Sequence, residues 1–211
     1  MRLLLLTSRP IGRRCFEWAS MHLPNEVELS ISDTYTEDNT GYDVVISVMY
    51  KRIIPDNLLD PDVGYFNLHP GILPEYAGSC TLSWSLFNGE DEAGITLHVL
   101  SAGIDTGNII EIERFSIEES DTAQTLFSKA EEAIFTLFKR RFVDLIQGQW
   151  MAVPQDLEKR GLYLRKALEG GMNLTRQVRA FTFDGKPQGF FVTRDGRKFE
   201  LDYEKGAKLL E

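Results

Sequence analysis

Short apolar runs alternate along this chain with longer segments in which apolar residues recur at helical spacing, the pattern of an α/β fold. Residues 3–6 are four consecutive leucines, and such a run predicts a strand that is buried on both faces of a parallel sheet. We predict strands at residues 2–6, 26–32, 43–49, 65–68, 94–100 and 108–113. We predict helices at 13–21, from 79 or 80 to 88, and at 121–147, where Ser120 or Asp121 is the expected cap.

The helical and strand periodicity loosens from residue 151 onwards. Residues 163–167 and 174–181 predict short helices, and the runs 189–193 and 198–201 flank an Asp-Gly pair, which is a hairpin signal. We therefore predict an α/β core at 1–150, built on a mostly parallel open sheet, and a small C-terminal α+β appendage at 151–211. The second and third strands are only about ten residues apart, which leaves little room for a crossover helix.

Length, charge and cysteine content limit the classes of protein to which this chain can belong. A length of 211 residues suits one domain with a small appendage, and a net charge of −9 argues against a nucleic-acid partner. Two cysteines, Cys15 and Cys80, make no disulfide framework, and the leucine run is too short for a signal peptide or a membrane span. We expect a cytoplasmic protein without membrane contact. The three histidines are scattered and no C-x-x-C occurs, so we expect no metal site.

One stretch of the core carries candidate chemistry. Asn67 and His69 are two residues apart in an apolar setting, so on a strand they point to the same side. Asp105 lies between Gly103 and Gly107, where a loop is expected. An amide can donate to an oxyanion, an imidazole can move a proton, and a carboxylate can orient the imidazole. By spacing alone, a purely structural histidine is the favoured interpretation.

The sequence motifs of this stretch are more specific evidence of function than the spacing of the three polar residues. They are Asn67-Leu68-His69-Pro70, Leu73-Pro74, Gly78, Trp84, Asn88-Gly89, Gly94-Ile95-Thr96 and Asp105-Thr106-Gly107. In this order the chain resembles the formyltransferases that use 10-formyltetrahydrofolate, a family that includes the sugar-nucleotide N-formyltransferases. The resemblance implies a Rossmann-like core and a formyl transfer reaction with 10-formyltetrahydrofolate as co-substrate.

The resemblance also implies roles for these residues. Asn67 would hold the formyl oxygen and His69 would transfer the proton, while Asp105 would couple to His69 and raise the pKa of its imidazole. Folate would be bound by the turn at Tyr50, Lys51, Arg52 and Ile53 and by the loop at Ser101, Ala102, Gly103 and Ile104. A plain strand-to-helix connection is the alternative for the turn. We interpret His98 as structural, because it lacks a nearby acid or amide in the sequence.

The molecule that would accept the formyl group is inferred by elimination within the resembled family. An acidic chain with a short tail is unlike the methionyl-tRNA enzymes, and no glycine- and serine-rich loop follows the first strand, unlike the glycinamide ribonucleotide enzymes. We therefore expect an amino-sugar nucleotide as acceptor. Ser8, Arg9, Tyr76 and Ser79 are candidate contacts to it, although Arg9 also suits a plain surface position. A homodimer, formed through an edge strand or the C-terminal hairpin, is expected from the family.

Four alternatives stay open. In the first, the formyl group is transferred to glycinamide ribonucleotide or another small amine. In the second, it is transferred to water, and the protein is a formyltetrahydrofolate hydrolase. In the third, Cys80 and His69 form a thiol site, although a cysteine at a helix start is more often packed than reactive. In the fourth, the chain is a non-catalytic module that binds folate or a nucleotide.

Overall fold

A six-stranded sheet is the centre of the computed structural model, which describes residues 1–37, 40–164, 180, 183 and the strand backbones 190–192, 198–202 and 206–210. The order of strands is β2-β1-β3-β4-β6-β7, in which β1 to β4 run parallel and β6 is antiparallel to both of its neighbours, β4 and β7. This confirms the prediction of a mostly parallel open sheet. The strands are β1 Arg2–Thr7, β2 Glu28–Ser32, β3 Val44–Val48, β4 Gly64–His69, β5 Ala77–Gly78, β6 Glu92–Val99, β7 Ile109–Ser116, β8 Leu162–Tyr163, β9 Phe190–Val192, β10 Lys198–Asp202 and β11 Gly206–Leu210.

Three α-helices, α1 Pro10–Ser20, α2 Thr81–Asn88 and α3 Ala123–Ile146, pack on one face of this sheet. Leu3 and Leu5 of β1 join their core, whereas Leu4 and Leu6 face a second cluster that includes Tyr35 and residues of the loops. Successive side chains of a strand point to opposite faces, so both faces of β1 are covered. This is why its sequence is apolar without interruption.

The ends of two helices differ from the sequence prediction. The first helix begins at Pro10 and not at residue 13, because proline suits the first helical turn, where its missing N–H is not needed. The third helix is capped by Thr122, which forms a capping box with Thr125, and not by Ser120 or Asp121. Asp121 instead forms an ion pair of 2.6 Å with Lys129.

Two further details of the core concern the end of one strand and the connection between two others. The fourth strand extends to His69, one residue beyond the prediction. Between β2 and β3, residues 33–37 and 40–43 contain no α-helix, in line with the short spacing.

The segment that follows α3 differs most from its prediction. Leu162–Tyr163 is a strand, β8, and not the start of a helix, because it pairs in parallel with β5 and the Tyr163 ring stacks on Tyr76 at 5.0 Å. Of the rest of the two predicted short helices, position 164 is not helical and position 180 is helical, and the other residues lie outside the described ones. The predicted hairpin strands are present as β9 and β10, which are antiparallel, while their turn at 193–197 lies outside the described residues. A third strand, β11, was not predicted.

No helix in the described part of the chain has the length and apolar character that crossing a membrane requires. The division of the chain at residues 150 and 151 into a core and an appendage stays a prediction.

Candidate active site

Asn67, His69 and Asp105 meet near the carboxyl end of β4. Asn67 and His69 lie two apart on this strand, and Asp105 comes from the loop between β6 and β7. The Nδ1 atom of His69 is 3.5 Å from Oδ2 of Asp105, and the two side chains are 4% and 12% exposed. An imidazole and a carboxylate are thus held together in a largely water-free setting, where their interaction is stronger than at the surface.

His69 has one nitrogen fixed by the backbone. Its Nε2 lies 2.7 Å from the carbonyl oxygen of Tyr76, and since a carbonyl only accepts, this nitrogen donates. In the neutral ring Nδ1 is therefore the acceptor, and it faces Asp105. Gly71 makes the contact possible, because a Cβ at this position would lie 2.6 Å from Nε2 and closer still to the Tyr76 carbonyl oxygen.

Asp105 has a left-handed backbone with a φ of 53°, a conformation that is uncommon for residues other than glycine. Its Oδ2 accepts a hydrogen bond of 2.8 Å from the N–H of Gly78. Burial opposes ionisation of this carboxyl group, but the neighbouring His98 and His69 rings and the hydrogen bond from the Gly78 N–H outweigh it and lower the pKa of Asp105 to about 2. Asp105 is therefore a carboxylate at neutral pH.

The pKa of His69 differs from our prediction of a raised value. Burial lowers this pKa, and the opposing effects of the Asp105 charge and of the Tyr76 carbonyl do not outweigh it. The imidazole is therefore favoured in its neutral form, with Nδ1 able to take up a proton. A proton on Nδ1 would face the Asp105 carboxylate, which favours the cation once it forms.

The reason for interpreting His98 as structural is wrong, because both an amide and an acid lie beside it in the folded chain. Its side chain is fully buried, with Nε2 3.1 Å from Nδ2 of Asn67 and 3.7 Å from Oδ1 of Asp105. Its Nδ1 donates to the carbonyl of Val99 at 2.9 Å, so in the neutral ring Nε2 accepts an N–H of Asn67. His98 thereby orients the Asn67 amide and leaves its second N–H for another acceptor.

The predicted folate turn lies at the edge where β1 and β3 end. The Tyr50 hydroxyl accepts the N–H of Tyr35 at 3.1 Å, and the N–H of Lys51 points to Oγ of Ser8 at 3.4 Å. The side chains of Lys51, Arg52 and Ile53 are exposed. The turn therefore offers an exposed apolar side chain beside exposed cationic ones.

The second predicted folate segment is the loop that leads to Asp105. Ser101, Ala102, Gly103 and Ile104 are all exposed. The Thr106 hydroxyl braces this loop, since it lies 2.9 Å from Oγ of Ser101 and donates to the carbonyl of Ala102 at 3.1 Å. The loop leaves its outer surface open to solvent immediately before Asp105.

The four predicted acceptor contacts have different surroundings. Ser79 is exposed, whereas the Arg9 guanidinium lies over the Phe127 ring at 5.4 Å. The Ser8 hydroxyl accepts the N–H of Lys51. Cys80 is exposed at the N-cap of α2.

The Tyr76 side chain is held by other residues. Its hydroxyl donates to Glu90 at 2.6 Å, and its ring is stacked on Tyr163. Tyr76 therefore contacts His69 through its carbonyl and not through its side chain.

Known proteins are similar to this chain in sequence and in fold. A sequence model described as formyl transferase matches residues 11–140. GDP-perosamine N-formyltransferase of Brucella melitensis is 33% identical over 154 residues, which are 70% of this chain and 59% of the relative. The chain thus spans about 59% of the length of the curated relatives it matches first.

Solved structures show the same fold over the full chain. A sugar N-formyltransferase from Shewanella sp. FDAARGOS_354 aligns with a TM-score of 0.80 and 20% identity, covering 100% of this chain and 99% of the other. An N-formyltransferase from Helicobacter canadensis, solved in complex with folinic acid and dTDP-3-aminofucose, aligns with a TM-score of 0.70 and 18% identity, covering 99% and 98%. Since the family model covers more than half of the sequence, and the Brucella relative confirms the resemblance, the chain belongs to the formyl transferase family.

Proposed function

We propose that this protein transfers a formyl group from 10-formyltetrahydrofolate to the amino group of an amino-sugar nucleotide. The observation that carries the proposal is the meeting of Asn67, His69 and Asp105 within a chain of the formyl transferase family. The name of the Brucella relative supports a sugar nucleotide as acceptor, and the folinic acid and dTDP-3-aminofucose in the Helicobacter complex support a folate and an amino-sugar nucleotide as the two classes of substrate.

The reaction joins the acceptor nitrogen to the formyl carbon and breaks the bond from that carbon to the donor nitrogen. The acceptor amine loses a proton, and the nitrogen of tetrahydrofolate gains one. Negative charge develops on the formyl oxygen during the attack. The second N–H of Asn67 is the proposed donor to that oxygen, a contribution typically worth about 10²–10³ in rate.

His69 is the proposed carrier of the proton. Burial favours its neutral form, in which Nδ1 is the unprotonated nitrogen of the ring, and a general base needs such a nitrogen. Asp105 stays ionised and stabilises the imidazolium that forms when Nδ1 takes the proton. Proton transfer by such a group typically contributes about 10²–10⁴ in rate.

The exposed turn at 50–53 and the exposed loop that leads to Asp105 are the proposed folate site. The turn of Tyr50, Lys51, Arg52 and Ile53 supplies backbone groups and an apolar side chain for the pterin, with cationic side chains beside them for the anionic tail. The loop of Ser101, Ala102, Gly103 and Ile104 supplies the facing backbone. Ser8, Arg9 and Ser79 are the proposed acceptor contacts, with Tyr76 contributing its carbonyl to the placement of His69.

The test is to incubate the protein with 10-formyltetrahydrofolate and a panel of amino-sugar nucleotides that includes GDP-perosamine and dTDP-3-aminofucose. We expect tetrahydrofolate to be released together with a sugar nucleotide that is heavier by one formyl group. Release of tetrahydrofolate with formate and no formylated product would identify a hydrolase instead. If no amino sugar reacts, formylation of glycinamide ribonucleotide would contradict the proposed acceptor.

A pair of histidine variants tests the assignment of residues. His69→Gln removes Nδ1 as a base while its Nε2 keeps a donor for the Tyr76 carbonyl, and it should abolish turnover in a folded protein. His22→Gln is the matched control, since His22 is exposed and stacks on Trp18. Full turnover by a folded His69→Gln protein would rule out the proposed mechanism.

We also propose a cytoplasmic homodimer. No disulfide joins Cys15 and Cys80, which supports a reducing compartment. The edge strand β7 is only partly buried and is a surface through which two copies can pair. A monomeric mass in light scattering at micromolar concentration would contradict the dimer.

A further inference from the structure

The segment that follows α3 reaches back to the loop that carries Asp105. Nε2 of Gln155 donates to the carbonyl of Asp105 at 3.0 Å and to that of Gly107 at 2.5 Å. Nη2 of Arg160 donates to the carbonyl of Ile104 at 2.6 Å. Three carbonyls of one short loop are therefore held by two side chains that are distant in sequence.

We propose that Gln155 and Arg160 are positioning residues that hold the backbone of Asp105 so that its carboxylate meets His69. The inference rests on the proposed function of this site. Neither residue touches the reacting groups; both act through the loop.

The backbone of Asp105 needs such support. Its φ of 53° is disfavoured for an L-residue and persists where surrounding contacts fix it. The two bonds of Gln155 lie on either side of Thr106, so one amide group fixes the turn from both sides. In this orientation Oδ2 of Asp105 receives the N–H of Gly78 at 2.8 Å and lies 3.5 Å from His69.

Among the residues that the structure describes, only the NH2 group of the Gln155 side chain forms hydrogen bonds. Its Oε1 is buried and has no hydrogen-bond partner within the described part of the chain. Gln155→Met keeps the length and volume, removes both donated bonds and also removes the unsatisfied acceptor. The loss of the donors is therefore partly offset, and positioning can be separated from folding. Gln149→Met is the matched control, because Gln149 is exposed.

The first measurement is steady-state formyl transfer. We expect Gln155→Met to lower kcat by about 10²-fold, the effect of displacing a reacting group by roughly 1 Å, while KM for both substrates changes by less than about threefold. In an Asp105→Asn background the same substitution should lower kcat by less than about twofold, because a residue that acts only through Asp105 has nothing left to position. Equal losses in both backgrounds would overturn the inference.

The second measurement does not depend on activity. The N–H of Gly78 is bonded to Asp105, so its hydrogen exchange reports whether the loop is in place. We expect exchange at Gly78 to be about tenfold faster in Gln155→Met and Arg160→Met and unchanged in Gln149→Met. Unchanged exchange in Gln155→Met would overturn the inference whatever the activity. If no amine is formylated by the unsubstituted protein, the proposed function fails, and Gly78 exchange still decides whether Gln155 positions the loop.

Discussion

A single methyl group at position 71 should break the hydrogen bond that fixes His69. In Gly71→Ala the new Cβ would lie 2.6 Å from Nε2 of His69, where ordinary contacts are 3.4–4 Å, and would also press on the Tyr76 carbonyl oxygen. That carbonyl belongs to a backbone whose next residue, Ala77, is bonded to Gly161 at 2.9 Å, so it has little freedom to move. The imidazole must therefore move, by nearly 1 Å to regain an ordinary contact distance.

The size of the effect follows from two costs. An N–H of His69 that is buried without an acceptor costs roughly 1–3 kcal/mol, and forcing a methyl group into a packed site costs about 1–3 kcal/mol more. We therefore expect the free energy of unfolding to fall by roughly 2–6 kcal/mol. A shift of this size in a reacting group should also lower kcat for formyl transfer by about 10²-fold.

Urea denaturation and steady-state kinetics measure the two effects on the same preparation. Gly148→Ala is the matched control: Gly148 has a φ of 68°, and a Cβ added there would have no heavy atom within 4 Å, so this variant tests the left-handed backbone alone. It should cost about 1–2 kcal/mol and leave kcat unchanged. A Gly71→Ala protein that matches Gly148→Ala in stability and the unsubstituted protein in kcat would refute the reasoning.

Two further substitutions separate the charge and the amide of the site. The pKa of Asp105 is about 2 in the folded protein against an ordinary 3.8, so its carboxylate stabilises the fold above pH 4 and this stabilisation is lost as the pH falls towards 2. Asp105→Asn should therefore lower the free energy of unfolding by about 2 kcal/mol at neutral pH, with a difference that shrinks towards pH 2 in urea titrations; a pH-independent difference would contradict this. Asn67→Ala should lower kcat by about 10²–10³ with little change in stability, and a change in KM alone would argue against its role at the formyl oxygen.

The helices and strands of this protein could be predicted from its sequence because their formation depends on neighbouring residues. The leucine run of β1 and the helical spacing of α3 depend on neighbouring residues, and both elements lie where they were predicted. Asn67 and His69 share a face because a strand has a period of two. The family motifs then predicted the fold and the family, and both are confirmed.

The contacts that complete the site depend on pairings across the chain. His98 lies opposite Asn67 through the antiparallel register of β4 and β6, which no local pattern encodes. Gln155 comes from 50 residues beyond Asp105. The segment before β8 was predicted as part of an appendage, yet it supplies a contact to the loop of the core.

The protonation of His69 also required the tertiary structure. The sequence placed an acid in the same motif and predicted a raised pKa, but the sign depends on how the attraction of Asp105 compares with the loss of water around the ring. At 3.5 Å and with 4% of the side chain exposed, burial prevails. The sequence by itself determined which groups are present and on which elements they lie. Only the folded structure decided their distances and their burial, because both depend on segments that are far apart along the chain.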